Sequence, residues 1–299
     1  MASGIDVSVV IATYRRERTL LEAISSVCSQ SGVEVEVIVV DDSPEHSARD
    51  AVSSLNDPRV RYVPRAVPSG GRPGAVRNDG VAVARAPLIH FLDDDDRLFD
   101  GSLRDLAAAI SASGRAMAFG RVVPFGDDVK MREEQRDYFI RMATAARRIR
   151  GGHWFAAQLL FRDMLLLNSA CTIRRDAFEA RGGYDPALRC CEDVDLFIRL
   201  ARAQGFTFVD RDVLHYRVGA PSIMNELRRT ASEADRAMQE ESYRRMHDRY
   251  KRDRGIAEYR ALQVFARATQ FLPSRFPPFS EGILSALGGG SPKDEKGRR

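Results

Sequence analysis

The sequence predicts an α/β protein with a mostly parallel sheet, and three observations predict it. Short β-branched apolar runs recur at residues 7–12, 35–40 and 88–92. Stretches with apolar residues at helical spacing separate them, so strand and helix alternate about every 25 residues, the rhythm of βαβ units. Acids follow two of these runs directly: Asp41-Asp42 after the second and Asp93-Asp94-Asp95-Asp96 after the last. In an open parallel sheet strand C-termini share one edge, and ligands bind there.

Residues 7–12 read as a central strand because apolar side chains occupy both of its faces. After the loop Thr13-Tyr14-Arg15-Arg16, the spacing of Leu20, Ile24, Val27 and Cys28 predicts a helix over about 17–30. Residues 35–40 are the second strand. A short helix carrying Ala48, Val52 and Leu55 precedes a third strand at 59–63. The Gly- and Pro-rich stretch 68–74 is a loop, 75–84 a helix and 88–92 the fourth strand. The second half is less regular. Helices are expected at 103–111 and 131–150, the latter basic through Arg141, Arg147, Arg148 and Arg150. Strands are expected at 116–123, 168–173 and 206–209, with an apolar stretch at 154–167 and a turn at 181–186. Glu192-Asp193 opens a helix that buries Val194, Phe197, Ile198 and Ala201. From Asn225 to about Phe271 the pattern is a mixed-charge helix. Its Met238, Tyr243, Met246 and Tyr250 would pack on the rest of the chain or on a second subunit. Leu262, Phe265 and Phe271-Leu272-Pro273 offer a membrane surface as the alternative.

Composition narrows the function. The 299 residues are 44% hydrophobic, enough for a sizeable core. A net charge of +4 with mixed signs fits an anionic substrate or a membrane surface and does not call for nucleic acid. Cys28, Cys171, Cys190 and Cys191 have neither zinc-ligand nor CxxC spacing, so reduced thiols are expected. No signal peptide and no run of about 18 apolar residues is visible. A cytoplasmic location follows as an expectation, peripheral contact with the inner membrane face included. There is no GxxxxGK[ST] loop and no GxGxxG after the first strand, which disfavours P-loop kinases and dinucleotide dehydrogenases.

Four adjacent carboxylates repel one another unless cations share the site. Hard oxygens at a strand end suit Mg²⁺ or Mn²⁺ carrying a phosphate group. Arg72 and Arg77 lie between the acidic sites in sequence and could meet phosphate oxygens. Read singly, each acid is equally a helix cap and each arginine a solvated charge.

The ordered series 7–14, 37–43, Ala75-Val76-Arg77-Asn78, 91–96, Gly182-Gly183-Tyr184-Asp185 and 192–196 resembles glycosyltransferase family 2 over about residues 5–220. That family comprises inverting enzymes of the GT-A fold, a Rossmann-like sheet with flanking helices. The resemblance implies a nucleotide-sugar half at 1–98 and an acceptor half with the catalytic base at 99–224; residue pattern and composition add a helical extension at 225–287 and a disordered tail, rich in Gly, Lys and Arg, at 288–299. It implies that Ala12, Thr13 and Tyr14 flank the nucleotide base and that Asp42 hydrogen-bonds it, commonly as uracil. Arg72 or Arg77 would approach the diphosphate. Asp93, Asp94 and Asp95 would form the DXD motif, with Asp93 and Asp94 facing ribose and sugar and Asp95 holding Mn²⁺ or Mg²⁺. Asp193 would be the general base. The sequence departs from the family pattern at Ala12, where proline is frequent, at Arg15, where asparagine is, and at Ser43-Pro44. His215 precedes Tyr216-Arg217 instead of following such a pair. No Gln-x-x-Arg-Trp motif of processive synthases is present, which favours one sugar per encounter. The expected reaction is metal-dependent transfer from a UDP-sugar or related donor to the hydroxyl of a saccharide, lipid-linked glycan, protein or metabolite. A sugar-1-phosphate nucleotidylyltransferase is the alternative enzyme, disfavoured by Ala12-Thr13-Tyr14 where a Gly-rich signature should stand. A non-catalytic scaffold retaining the fold is the non-enzyme alternative. Trp154 reads as a sugar-stacking residue or as core, and the arginines at 147–150 as a phosphate or membrane contact or as a solvated face.

Overall fold

A computed structural model describes residues 4–219 and 232–269 of the chain. The boundary at Asn225, the Phe271-Leu272-Pro273 contact and the tail at 288–299 lie outside the described residues. The strands are β1 (Val7–Thr13), β2 (Val35–Asp41), β3 (Val60–Pro64), β4 (Leu88–Asp93), β5 (Arg97–Leu98), β6 (Met117–Phe125), β7 (Cys171–Arg174) and β8 (Phe206–Arg217). They form one eight-stranded sheet in the order β3-β2-β1-β4-β7-β6-β8-β5.

The first four strands are parallel, as their alternation with helices requires. Beyond β4 the sheet is mixed: β7 runs antiparallel to both β4 and β6, β8 is parallel to β6, and β5 is antiparallel to β8. The mostly parallel expectation holds: four of the seven strand pairings are parallel, and the three antiparallel ones all involve β5 or β7. Hydrophobic runs report burial and carry no sign of strand direction.

Helices α1 (Glu17–Cys28), α2 (Arg49–Ser53), α3 (Pro73–Ala82) and α4 (Ser102–Ser113) connect the first half. The second half adds α5 (Val129–Arg148), α6 (Gly151–Phe161), α7 (Arg175–Ala180), α8 (Glu192–Gln204), α9 (Glu233–Arg254) and α10 (Ile256–Ala268). Helix α3 lies close on the sheet because Gly80 has no side chain. A Cβ there would stand 2.4 Å from Val10 Cγ1.

Core residues divide by strand period. Val10, Ile38 and Phe91 face one layer with Phe119, Phe155 and Phe197, and that layer continues to Met246, Tyr259 and Leu262 of the C-terminal helices. Val9, Ile11 and Val39 face the other with Leu20, Leu103 and Phe139. Residues before and after position 98 mix in both layers.

Several boundaries differ from the sequence reading. The strand expected at 168–173 is a 3-10 turn, Asn168–Ala170, followed by β7. The short strand at 206–209 runs on to Arg217. Its charged middle hid it, and ion pairs neutralise that middle: Arg121 reaches Asp212 at 2.8 Å and Arg147 reaches Asp210 at 2.7 Å. Register against β6 shifts between Phe119 and Val122. A Cβ on Gly120, inside that shift, would lie 2.4 Å from Val213 Cγ1. The long mixed-charge helix is two helices, broken at Gly255, where φ is 89°. Trp154 is core-side, its ring edge-on to Phe265 of α10 at 5.8 Å. Arg147 belongs to a solvated ion-paired face. Among the described residues no helix is long and apolar enough to cross a membrane.

Candidate functional site

Charge gathers where β1, β2 and β4 end. Register places Ala12 beside Asp93 and Thr13 beside Asp41, so the acidic runs share one edge as parallel pairing demands. The two runs are treated differently. Asp41 accepts from Ser43 N (2.9 Å), Ser43 Oγ (2.7 Å), Ala48 N (3.0 Å) and Tyr62 Oη (2.9 Å), which locks the turn into α2. Asp42 accepts from Ser69 N at 2.7 Å, Ser69 Oγ at 2.6 Å and Arg65 Nη1 at 2.9 Å. It therefore ties the Gly-rich loop to the sheet edge. Arg72 closes the loop at the start of α3, its Nη1 bound to Ser69 O at 3.0 Å.

At the end of β4 the acids meet fewer donors. Thr13 Oγ1 donates to Asp94 Oδ2 at 2.8 Å. Arg16 Nη1 reaches Asp94 Oδ1 at 3.0 Å and Asp95 Oδ2 at 2.9 Å. Burial, reinforced by Asp93 and Asp94, lifts the Asp95 carboxyl to about 6. Burial and then Asp95 push Asp96 well above the usual carboxylate range, although it accepts from Arg217 N at 2.9 Å. Tyr14 is exposed, and the Arg15 guanidinium stands 5.1 Å from its ring centroid.

The third acidic motif reaches the same edge through Arg77. This buried arginine donates Nη2 to Asp93 Oδ1 at 2.8 Å and Nη1 to Glu192 Oε1 at 2.7 Å. Burial alone would lower its pKa; Asp93, Tyr184 and Glu192 together raise it. Asn78, one residue on, clasps Tyr184 through both backbone groups, 3.0 Å from its N and 2.9 Å from its O. That clasp explains Gly183, with φ of 64°, whose Cβ would come within 2.8 Å of Asn78 Oδ1. Gly74 serves the same packing, since a Cβ there would be 2.9 Å from Tyr184 Cβ and 3.1 Å from Glu192 Cγ.

Cys191, left-handed at φ 59°, turns the chain into α8. Glu192 is raised to about 7, by burial first and by Asp193 second. Asp193 is half-buried and accepts from Val194 N at 2.7 Å through Oδ1. Burial of its carboxyl raises its pKa, Arg77 and the Val194 N–H oppose that, and Asp93 adds to it.

The structure thus gathers Thr13, Arg77, Asp93, Asp94, Asp95 and Asp193, with Ala12 at the edge and Asp42 and Arg72 bounding the loop. It adds four residues to which the sequence reading gave no site role: Arg16, Arg65, Ser69 and Arg217. Arg16 follows directly on Tyr14-Arg15, so its place after β1 was the available signal. The bonds of Arg65, Ser69 and Arg217 depend on folding alone. His215 is absorbed by packing, stacked on Phe99 with centroids 3.6 Å apart.

The residues suit a divalent cation of the hard, oxygen-preferring kind. Asp95 has one carboxylate oxygen outside the Arg16 contact and lies among other acids. Among the described residues no three His, Cys, Asp or Glu side chains form a complete cage. Mg²⁺-type sites take one or two carboxylates and complete themselves with phosphate oxygens and water.

Comparison with known proteins adds the following. Residues 8–181 match the family described as Glycosyl transferase family 2. The chain is 38% identical over 113 residues to the succinoglycan biosynthesis protein ExoO of Rhizobium meliloti, a match spanning 38% of this chain and 32% of that protein. It is 26% identical to ExoU of the same organism across 95% of this chain and 88% of the relative. In three dimensions it is similar to S. aureus TarS (residues 1–349) solved with UDP-GlcNAc, with a TM-score of 0.63 and 16% identity, over 91% of this chain and 74% of that one. The chain spans about a third of ExoO's length.

Proposed function

We propose, on the premise that this chain belongs to glycosyl transferase family 2, that it transfers a sugar, with inversion, from a nucleoside-diphosphate donor to an acceptor hydroxyl. The observation that carries this reading is the bridge Asp93–Arg77–Glu192. It joins the donor-side acids to the start of α8, so a diphosphate at one and a proton acceptor at the other serve one reaction centre.

Asp193 accepts the proton of the acceptor hydroxyl as its oxygen bonds to the anomeric carbon. The bond from that carbon to the diphosphate oxygen breaks, and the nucleoside diphosphate leaves with the electron pair. One in-line displacement inverts the configuration, with no covalent sugar–enzyme intermediate. The Asp193 carboxylate has one oxygen outside the Val194 bond, which is the oxygen available to the proton. Arg77 holds Asp93 and Glu192 in register while Asp93 and Asp94 face ribose and sugar. Asp42 and the loop it fixes border the nucleotide base beside Ala12, Thr13 and Tyr14, and Arg72 stands at the diphosphate side. Asp95 would hold Mg²⁺ or Mn²⁺, which when bound would stabilise charge growing on the diphosphate.

A saccharide built into a polysaccharide is the acceptor this reading favours, because ExoO and ExoU carry the name of succinoglycan biosynthesis. A UDP-sugar is the donor to try first, because TarS was solved with UDP-GlcNAc. The test is a panel of UDP-, GDP-, dTDP- and CMP-sugars, scored by melting shift and donor turnover with and without Mn²⁺. One nucleotide class should stabilise the protein, by about 2.7 kcal/mol at 100 times its dissociation constant. No shift and no turnover with any donor would overturn the reading.

A further inference from the structure

Away from the strand ends, α8 turns another face to the C-terminal helices. Asp195, two residues after Asp193, receives Arg199 at 2.7 Å and Arg249 of α9 at 3.0 Å. Beside this contact lies a cleft of about 460 Å³ between α8 and α9, floored by Ile198, Met246 and Tyr250. A second recess shares Arg181, Arg199 and Arg249 with it and reaches Asp185.

The charges here do not balance. Six arginines line the two recesses: Arg181, Arg199, Arg202, Arg249, Arg252 and Arg254. Four carboxylates answer them. Asp195 takes Arg199 and Arg249, and Asp185 takes Arg249 at 2.5 Å. Glu258 takes Arg202 at 2.7 Å, and Asp253 lies 3.7 Å from Arg252. Six less four leaves two positive charges, and they belong to Arg181 and Arg254, which have no ion pair among the described residues. The frame beneath them is fixed. Arg199 donates to Arg181 O at 2.5 Å and to Gly183 O at 2.8 Å, so the loop carrying Arg181 is tied to α8. Arg181 and Arg254, both exposed, line the same recess, and guanidinium meets oxyanions with paired N–H donors.

We propose that the cleft between α8 and α9 is an oxyanion site, separate from the donor site, for a phosphate or diphosphate group held by Arg181 and Arg254. The group comes either from a soluble phosphate compound or from the headgroup of a lipid. Ile198 of α8 and Met246, Tyr250 and Arg254 of α9 lie outside the 8–181 family match, and Arg181 is its last residue.

The test uses the full chain and its Arg181→Gln/Arg254→Gln double variant, titrated with inorganic pyrophosphate at constant ionic strength. Titrations are run with the protein alone and again with excess nucleoside diphosphate filling the donor site. The expected result is binding that persists in excess nucleoside diphosphate and is weakened at least tenfold in the double variant. The unliganded melting temperature should not change, because neither side chain has an ion pair or hydrogen bond among the described residues to lose. Equal pyrophosphate affinity in the two proteins overturns the proposal, as does a lowered melting temperature of the unliganded variant. Should no nucleoside diphosphate bind, the donor reading fails, while the comparison of wild type with double variant still decides the cleft. Co-sedimentation with phosphatidylglycerol vesicles, set against phosphatidylcholine vesicles, separates the sources. Arginine-dependent sedimentation with the anionic vesicles alone assigns a lipid headgroup, and pyrophosphate binding without sedimentation assigns a soluble phosphate.

Discussion

The acids after β2 and the acids after β4 stand on one edge of one sheet and have opposite fates. Asp41 accepts four bonds and Asp42 three, from backbone, hydroxyl and guanidinium donors, and these fix two turns. Asp95, Asp96 and Glu192 have fewer donors, and burial raises each carboxyl above its ordinary value. A carboxylate whose bonds are complete shapes the backbone. One left short has capacity for a cation, a substrate or a proton. The proposed chemistry accordingly uses β4 and α8, and the β2 acids fix the loops beside them.

The sharpest way to break this contrast is Asp193→Asn. It retains the bond from Val194 N but cannot take a proton, so turnover should fall roughly 10²–10⁴-fold. Melting temperature and donor affinity should hold. Wild-type turnover in this variant would remove Asp193 from the base role and leave Glu192 to be tried.

Asp95→Ala comes next. Loss of the cation's contribution, several kcal/mol, corresponds to about 10²-fold or more in rate. Excess EDTA should reproduce the loss in wild type. Full transfer in the chelator would dismiss the cation from the mechanism.

Arg77→Met reads on stability. It leaves Glu192 buried without its counter-charge, and breaking a buried pair costs about 3–5 kcal/mol. The side chain of Asp93 is 41% exposed, so that arm contributes the smaller part. Urea unfolding would show the loss as a lower midpoint. An unchanged midpoint would mean that the bridge organises nothing.

Glu192 supplies a pH signature. Its folded carboxyl titrates at about 7 against an ordinary value of 4.5. Between those values the folded chain binds more protons than the unfolded one, so stability declines as pH rises through that window and levels off above it. The change is at most about 3 kcal/mol. Glu192→Gln should flatten this slope in denaturation curves taken from pH 4.5 to 8, and an identical slope would refute the assignment to Glu192.

The smallest effect belongs to the solvated face. Arg147→Ala removes the exposed pair with Asp210 and should cost about 0–1 kcal/mol, with transfer unchanged. A large loss of activity would give the basic helix α5 a part in acceptor binding.

The sequence by itself determined the parallel first half. Apolar runs buried on both faces at residues 7–12 and 35–40 and the helix-spaced residues between them admit few other folds. With parallel pairing fixed, Asp41 and Asp93 had to reach one edge, so that acidic edge was legible from local pattern. The ordered motifs carried the family as well, since each sits at a strand end or helix start that the pattern located. Only the tertiary structure decided the rest. Whether β7 runs parallel or antiparallel depends on which strands it finds, and a four-residue apolar run is the same in either direction. The length of β8 depended on Arg121 and Arg147 neutralising Asp212 and Asp210 from other elements. The bridge from Asp93 through Arg77 to Glu192 closes 115 residues of chain between its last two members. No window of sequence holds such a bond, because its energy exists only after the sheet has brought both ends together and excluded the water between them.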